Sequence, residues 1–248
     1  MVAQETRNFC RERGGQTEKR RIILYRGRFS DIMDPKNGTK GPSPEGERMG
    51  REFEIKLRVP SEETLRRILQ DPSVRALAMG EDRQIRMEST YFDTADRLLA
   101  RRRWTLRRRR ENERSVVTVK TPAPGRARGE WETEGEDLGE AIPWLCALGA
   151  PAELPELVRG GVVPRCGAQF VRTARMLSLP GGTVAELAAD HGILTGGGRQ
   201  ERLVELEVEL KEGKEQDVER FCSAICEKYD LVEEPLSKFA RASRLAEG

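Results

Sequence analysis

Seven consecutive residues, Glu205, Leu206, Glu207, Val208, Glu209, Leu210 and Lys211, alternate charged and apolar side chains without a break. Successive side chains of a strand point to opposite faces, so this stretch makes a ribbon with Glu205, Glu207, Glu209 and Lys211 on one side and the aliphatic residues on the other. A helix would scatter the same residues around its axis. Comparable alternation recurs at Glu52–Val59, Gln84–Asp93, Trp104–Arg110, Ser115–Thr121, Gly129–Gly135, Gln169–Leu179, Thr183–Asp190 and Arg202–Lys211. About eight such segments, bounded by Gly, Pro and Asp, argue for an antiparallel barrel or sandwich. The expected class is α+β, mainly β, with helices packed outside the strands.

Helices are expected at Ser61–Gln70, with Ser61 as N-cap and an acidic first turn, and at Asp137–Leu148, stopping at Gly149. Val218, Phe221, Cys222, Ile225 and Tyr229 follow helical spacing and give one apolar stripe. The first 48 residues are basic, weakly periodic and end in a Pro/Gly-rich stretch that reads as linker or disorder, with one short strand hinted at Arg21–Phe29. The working domain is therefore expected over residues 49–246. No run approaches the ~18 apolar residues of a membrane span, which predicts a cytoplasmic protein. The five cysteines are scattered, with no CxxC pair to suggest zinc or redox work.

Charged residues make up 35% of the chain, yet the formal balance is only +2, so the placement of each sign matters more than the total. Glu52, Glu54, Lys56 and Arg58 share one face; Arg128, Glu130, Glu132 and Glu134 share another, as do Arg107 and Arg109. For any one strand, a solvated polar face is the simpler reading. Surface strands, however, usually mix Thr, Ser and single charges rather than dense ionic runs. If these faces converge, carboxylates about 4 Å apart repel by roughly 4 kcal/mol per pair at an effective dielectric near 20. Interleaved Arg and Lys offset part of this, while Glu clusters from two strands suit a hard divalent cation, Mg²⁺ or Mn²⁺. Guanidinium forks in turn suit phosphate oxygens. A metal-chelated polyphosphate meets both demands.

Ordered motifs along the chain resemble the CYTH superfamily, the triphosphate tunnel metalloenzymes. The ExExK signature stands as Glu52, Glu54 and Lys56. It is followed by Tyr91-Phe-Asp93, the LRxR element of Leu106, Arg107 and Arg109, Thr118-Val-Lys120, Arg128-Gly-Glu130-Trp-Glu132, Phe170-Val-Arg172, Asp190-His-Gly192, the Glu205–Lys211 ribbon, and Ser237-Lys238-Phe-Ala-Arg241. A bare ExExK is common; the order of the remaining matches, from about Arg51 to Arg244, carries the resemblance. It implies an eight-stranded antiparallel closed β-barrel, a tunnel, and metal-dependent chemistry on triphosphates, most similar to the inorganic triphosphatase branch. Thiamine triphosphatases and class IV adenylyl cyclases are the alternatives within the superfamily.

On that resemblance Glu52, Glu54, Glu205 and Glu207 are the expected metal ligands, and Glu52, Glu54 and Lys56 the catalytic set. Lys56, Arg58, Arg107, Arg109, Lys120, Arg128 and Arg172 are expected to grip phosphates, with Lys238 and Arg241 at the tunnel mouth. Glu130, Glu132, Asp190 and Glu209 are further ligands or their acceptors. Asp93 and Asp190 equally suit turns, and His191, the sole histidine, suits a surface turn better than catalysis. The arginine run at 101–110 by itself suggests a nucleic-acid patch, but alternation turns Arg107 and Arg109 inward, so no specific nucleic-acid partner is expected. A triphosphate-bearing small molecule is. A non-catalytic binder of polyphosphate or RNA ends is the competing class, and the acidic strands argue against it.

Overall fold

The computed structural model describes residues 53–122 and 128–247, with Arg128 described by its backbone alone. The strands are β1 (Glu54–Arg58), β2 (Arg83–Asp93), β3 (Thr105–Glu111), β4 (Arg114–Pro122), β5 (Arg128–Glu134), β6 (Val163–Leu179), β7 (Thr183–Gly196), β8 (Arg199–Glu212) and the two-residue β9 (Val232–Glu233). The helices are α1 (Glu62–Gln70), α2 (Pro72–Arg75), α3 (Leu98–Arg101), α4 (Leu138–Ala147), α5 (Leu154–Leu157), α6 (Glu215–Tyr229) and α7 (Lys238–Glu247). The eight expected strands are present, with β6 to β8 longer than their alternation alone suggested. The readings on residues 1–48 and on Glu52 lie outside the described residues.

Pairing is antiparallel throughout, in the order β5-β4-β3-β2-β6-β7-β8-β1-β9. Among the described residues no ladder joins β5 back to β1, so the hydrogen-bonded sheet is open rather than the closed barrel the sequence suggested. A local reason is visible at β1. Its outer edge is taken at Leu57 and Arg58 by β9, and the Glu234 N–H donates to the Lys56 carbonyl at 2.8 Å. The long β7–β8 hairpin closes at Gly197 and Gly198, whose φ values of 57° and 76° suit the two-residue turns that follow strand twist.

Alternation places the aliphatic set of β1, β6, β7 and β8 on one face, where Leu57, Leu177, Leu187, Leu206 and Val208 are fully buried against α1, α2 and α6. Each such side chain contributes about 1.5–3 kcal/mol of transfer free energy. Ser61 caps α1 as expected, its Oγ accepting from Thr64 N–H at 3.0 Å, and Leu65 and Ile68 face the sheet. The stripe of α6 presents Val218, Cys222 and Ile225 to the same core. A second cluster joins Leu106, Val117 and Val119 of β3 and β4 to α3, α4 and α5, with Asp137 capping α4.

The expectation that helices lie only outside fails for α7. This helix packs with Phe239, Ala242 and Leu245 against Met87, Tyr91, Ala168, Phe170, Leu194 and Leu203. In register, Leu194 and Leu203 share the face of Asp190 and Glu205, so α7 lies on the charged side of the sheet. Among the described residues no helix is long and apolar enough to cross a membrane.

Candidate active site

Antiparallel register stacks the charged residues into rows. One row runs Arg172, Asp190, Glu205, Arg58; the next places Glu207 beside Lys56; a third runs Glu186, Glu209, Glu54. On the other side of β2, Tyr91, Arg107, Thr118 and Glu132 form a row, flanked by Ser89 with Arg109 and by Lys120 with Glu130. Residues separated by more than a hundred positions, such as Arg58 and Glu205, therefore become neighbours through the register of the β1–β8 ladder.

The first half of this face is acidic and deeply enclosed. Asp190 and Glu205 are 0% exposed, and one oxygen from each of Asp190, Glu205 and Glu207 lies within 4.8 Å of the others. Lys238 sits among them, its Nζ 2.5 Å from Glu205 Oε1, 2.8 Å from Glu207 Oε1 and 2.8 Å from Asp190 Oδ2. Arg172 grips Asp190 in a fork at 2.8 and 2.7 Å and also pairs with Glu207. Arg241 donates to Glu205 Oε2 at 3.1 Å and pairs with Glu201.

Burial, with repulsion from Glu207 in support, pushes the Glu205 carboxyl up to about 7. Against the same burial, Lys238 and Arg172 hold Glu207 well below the usual range, and the three carboxylates hold the Lys238 ammonium above its own. Oxygen donors from three carboxylates match the ligand chemistry of a hard divalent cation, so the residues present fit Mg²⁺ or Mn²⁺.

The second half is rich in arginine and poorly satisfied. Arg107 is 8% exposed; its Nη2 donates to Thr118 Oγ1 at 2.9 Å and Glu132 Oε1 at 3.1 Å, yet its buried Nε has no partner among the described residues. Among the described residues, Arg109 reaches Ser89 Oγ at 3.4 Å and Glu111 at 3.5 Å and no closer acceptor. Burial and the neighbouring Arg107 lower the basicity of Arg109. A buried donor left without an acceptor, as at Arg107 Nε, costs free energy until one arrives.

The remaining expected residues sort by geometry. Lys56 pairs with Glu54 at 2.6 Å, Lys120 with Glu130 at 2.6 Å, and Lys211 with Glu209 at 2.6 Å. Glu54 stands opposite Glu209, outside the enclosed trio. Arg58 turns to Glu234, its Nε 3.0 Å from Oε2, instead of toward the acidic centre. Lys238 and Arg241 are buried at 7% each and neutralise carboxylates rather than standing at an open mouth, because α7 lies down on the charged face. The Arg128 side chain lies outside what is described.

Asp93 serves as a turn residue, its carboxylate accepting from the Thr94, Leu99 and Ala100 amides. Asp190 does not: β7 runs on to Gly196 and places it mid-strand. The same extension puts His191 mid-strand on the opposite face, where a surface turn was expected. Outward-facing Arg108 stacks over Phe92 and donates to the Glu136 carbonyl, and Arg110 pairs with exposed Glu113. Sequence reasoning missed Glu234, 2% exposed and bonded to Arg58 and the Leu236 amide, because the segment Glu233-Glu234-Pro235 carries neither alternation nor helical spacing.

The CYTH domain model matches residues 50–243. The chain belongs to the CYTH family. Among solved structures it is similar to the Hippeastrum protein HpAC1, described as revealing a dominant triphosphatase activity, at 20% identity and a TM-score of 0.50, covering 79% of this chain and 96% of that one. It also matches PH1819 from Pyrococcus horikoshii OT3 at 17% identity and TM-score 0.45, over 76% and 97% of the two chains. The inorganic triphosphatase NE1496 matches at 17% identity and TM-score 0.31, over 70% and 81%. At these identities the likeness concerns the fold, and this CYTH chain's chemistry has to be argued from its own charged face.

Proposed function

We propose that this CYTH protein is a metal-dependent triphosphatase acting on inorganic tripolyphosphate, with its charged face lining the tunnel in which the substrate lies. The observation that carries the reading is the pair Arg107 and Arg109: among the described residues, the buried guanidinium of Arg107 has an unpartnered Nε and the partly buried one of Arg109 has no acceptor closer than 3.4 Å, on the same charged face as three clustered carboxylates. A lone anion site would have no use for that trio. A lone cation site would be repelled by the arginines.

Asp190, Glu205 and Glu207 would hold Mg²⁺ or Mn²⁺, with Glu54 and Glu209 in a neighbouring row. When bound, the ion neutralises phosphate oxygens and acidifies water. Arg107, Arg109 and Lys120 orient the phosphate chain and stabilise the charge that spreads over the terminal phosphoryl group. Water oxygen bonds to the terminal phosphorus as the bridging P–O bond breaks, the pyrophosphate oxygen keeps the electron pair, and the water's proton passes to the departing pyrophosphate or to solvent. No side-chain nucleophile is needed. The rings on the charged face, Tyr91 at 5% and Phe170 at 6% exposure, lie under α7 and offer a nucleobase no open stacking surface, which favours a substrate without a base.

The test is phosphate release from tripolyphosphate, ATP and thiamine triphosphate at equal Mg²⁺, then Mn²⁺. The reading predicts fastest release from tripolyphosphate and none after chelation. Cyclic AMP formed from ATP without phosphate release would defeat the hydrolase reading. Turnover of none of the three would favour a non-catalytic polyanion binder. With no membrane-spanning helix among the described residues, a cytoplasmic site of action is part of the proposal.

A further inference from the structure

Lys238 lies in the first turn of α7, which Ser237 opens by accepting from the Ala240 amide at 3.1 Å. A helix N-terminus carries partial positive charge and is a poor place for an ammonium. The attraction of the acidic trio has to outweigh that repulsion, and the geometry says how. The ammonium donates to Glu205 and Glu207 at 2.5 and 2.8 Å and pairs with Asp190 at 2.8 Å, and one oxygen from each of the three carboxylates lies within 4.8 Å of the others. Divalent metals bind carboxylate oxygens at about 2.0–2.6 Å, so the cradle has room for one cation.

We propose that Lys238 is an internal counter-ion that a divalent metal must displace from Asp190, Glu205 and Glu207, freeing its ammonium for a substrate phosphate only after the metal has arrived. This rests on the metal-dependent triphosphatase reading above. Three features support exchange rather than a permanent lock. When the ammonium leaves, Arg172 still neutralises Asp190 and Glu207, and Arg241 still holds Glu205, so the carboxylates are not stranded. The α7 backbone does not have to move, because Phe239 against Tyr91, with ring centroids 5.0 Å apart, and fully buried Ala242 anchor the helix independently. A path also exists: Nζ already lies 5.3 Å from the Phe170 ring, and the guanidinium of Arg172 lies 5.8 Å from the same ring. Phe170 pairs with Met87 of β2, whose other neighbour is β3, the strand of Arg107 and Arg109. The freed lysine would thus turn toward the arginine half, joining metal binding to phosphate binding through one side chain.

Two measurements on the full chain, both without substrate, test this. Free Mn²⁺ is followed by electron paramagnetic resonance while it is titrated into the parent protein, Lys238→Met and Lys238→Arg. Separately, reductive methylation of Lys238 in the parent protein is read by mass spectrometry with and without saturating Mn²⁺. Exchange predicts that Lys238→Met binds Mn²⁺ at least tenfold tighter, that Lys238→Arg does not, and that Mn²⁺ speeds Lys238 methylation severalfold. Unchanged or weaker affinity in a folded Lys238→Met, or methylation that bound Mn²⁺ leaves as slow as before, overturns the proposal. Should Lys238→Met fail to fold, the methylation rate decides. If the parent protein binds Mn²⁺ and hydrolyses tripolyphosphate while these results are negative, only the exchange fails; if it binds no Mn²⁺, the exchange and the reading beneath it fall together.

Discussion

The two halves of the charged face use the same residue types and reach opposite states. On the charged face of β6, β7 and β8, Asp190, Glu205 and Glu207 are met by Arg172, Lys238 and Arg241 at hydrogen-bond distance. On β3, among the described residues, Arg107 keeps a buried unpartnered Nε and Arg109 has only long contacts. Internal satisfaction stabilises the folded chain, whereas incomplete satisfaction leaves binding energy for a ligand. The acidic half is therefore read as preorganised structure that a metal can enter, and the arginine half as the place where phosphate is gripped.

The largest expected effects set these halves against each other in catalysis. Glu207→Gln should lower tripolyphosphate turnover by about 1,000-fold while leaving phosphate binding largely in place, and Arg109→Ala should lower kcat/KM by about 100- to 1,000-fold, the range for removing a preorganised charge-stabilising donor. Steady-state kinetics alongside phosphate binding would separate the two. Equal loss of binding in both variants would erase the distinction between the halves.

Stability should show the reverse contrast. Arg172→Ala leaves Asp190, 0% exposed, without its guanidinium fork and should cost about 3–5 kcal/mol in denaturant unfolding, as for a broken buried pair. Arg109→Ala removes a cation that burial and Arg107 already disfavour, and should cost little. A large loss in the Arg109 variant would mean that its guanidinium is structural after all.

Away from the face, Asp71 accepts from Lys228, Ser73 and Tyr229, the lysine contributing most, and its carboxyl is held below the ordinary value of 3.8. A depressed folded value means the unfolded chain takes up the proton first. The stabilisation from Asp71 is then complete above pH 4 or so and is lost as the pH falls below the ordinary value toward the folded one. Thermal unfolding followed from pH 5 to pH 2 should show Asp71→Asn losing less stability on acidification than the parent protein. The smallest effect is at the α1 cap, where Ser61→Ala should cost about 1 kcal/mol.

What was legible in the sequence was what local periodicity encodes. Glu205, Glu207 and Glu209 share a face because side chains two apart always do in a strand, and Ser61 and Asp137 announce their helices by cap chemistry within three residues. What register decides was not legible. Asp190 looked as much a turn residue as Asp93 did, and only the extension of β7 to Gly196 separates the buried ion pair of one from the amide cap of the other.

The placement of α7 was hidden for a related reason. Phe239, Ala242 and Leu245 carry a helical spacing that could have been read, but nothing local says that the helix lands on a charged face, since its partners Tyr91, Phe170 and Glu205 come from three different strands. Closure was overstated because a two-residue strand, Val232–Glu233, gives no periodic signal, yet it covers part of the β1 edge.

The most direct measurement is a crystal structure with Mn²⁺ and a slowly hydrolysed tripolyphosphate analogue, the metal located by its anomalous signal. The account predicts manganese against the carboxylates of Asp190, Glu205 and Glu207 and phosphate oxygens on Arg107 and Arg109, both in one continuous site. Manganese and phosphate on separate surfaces, or phosphates on the outward-facing Arg108 and Arg110, would contradict it.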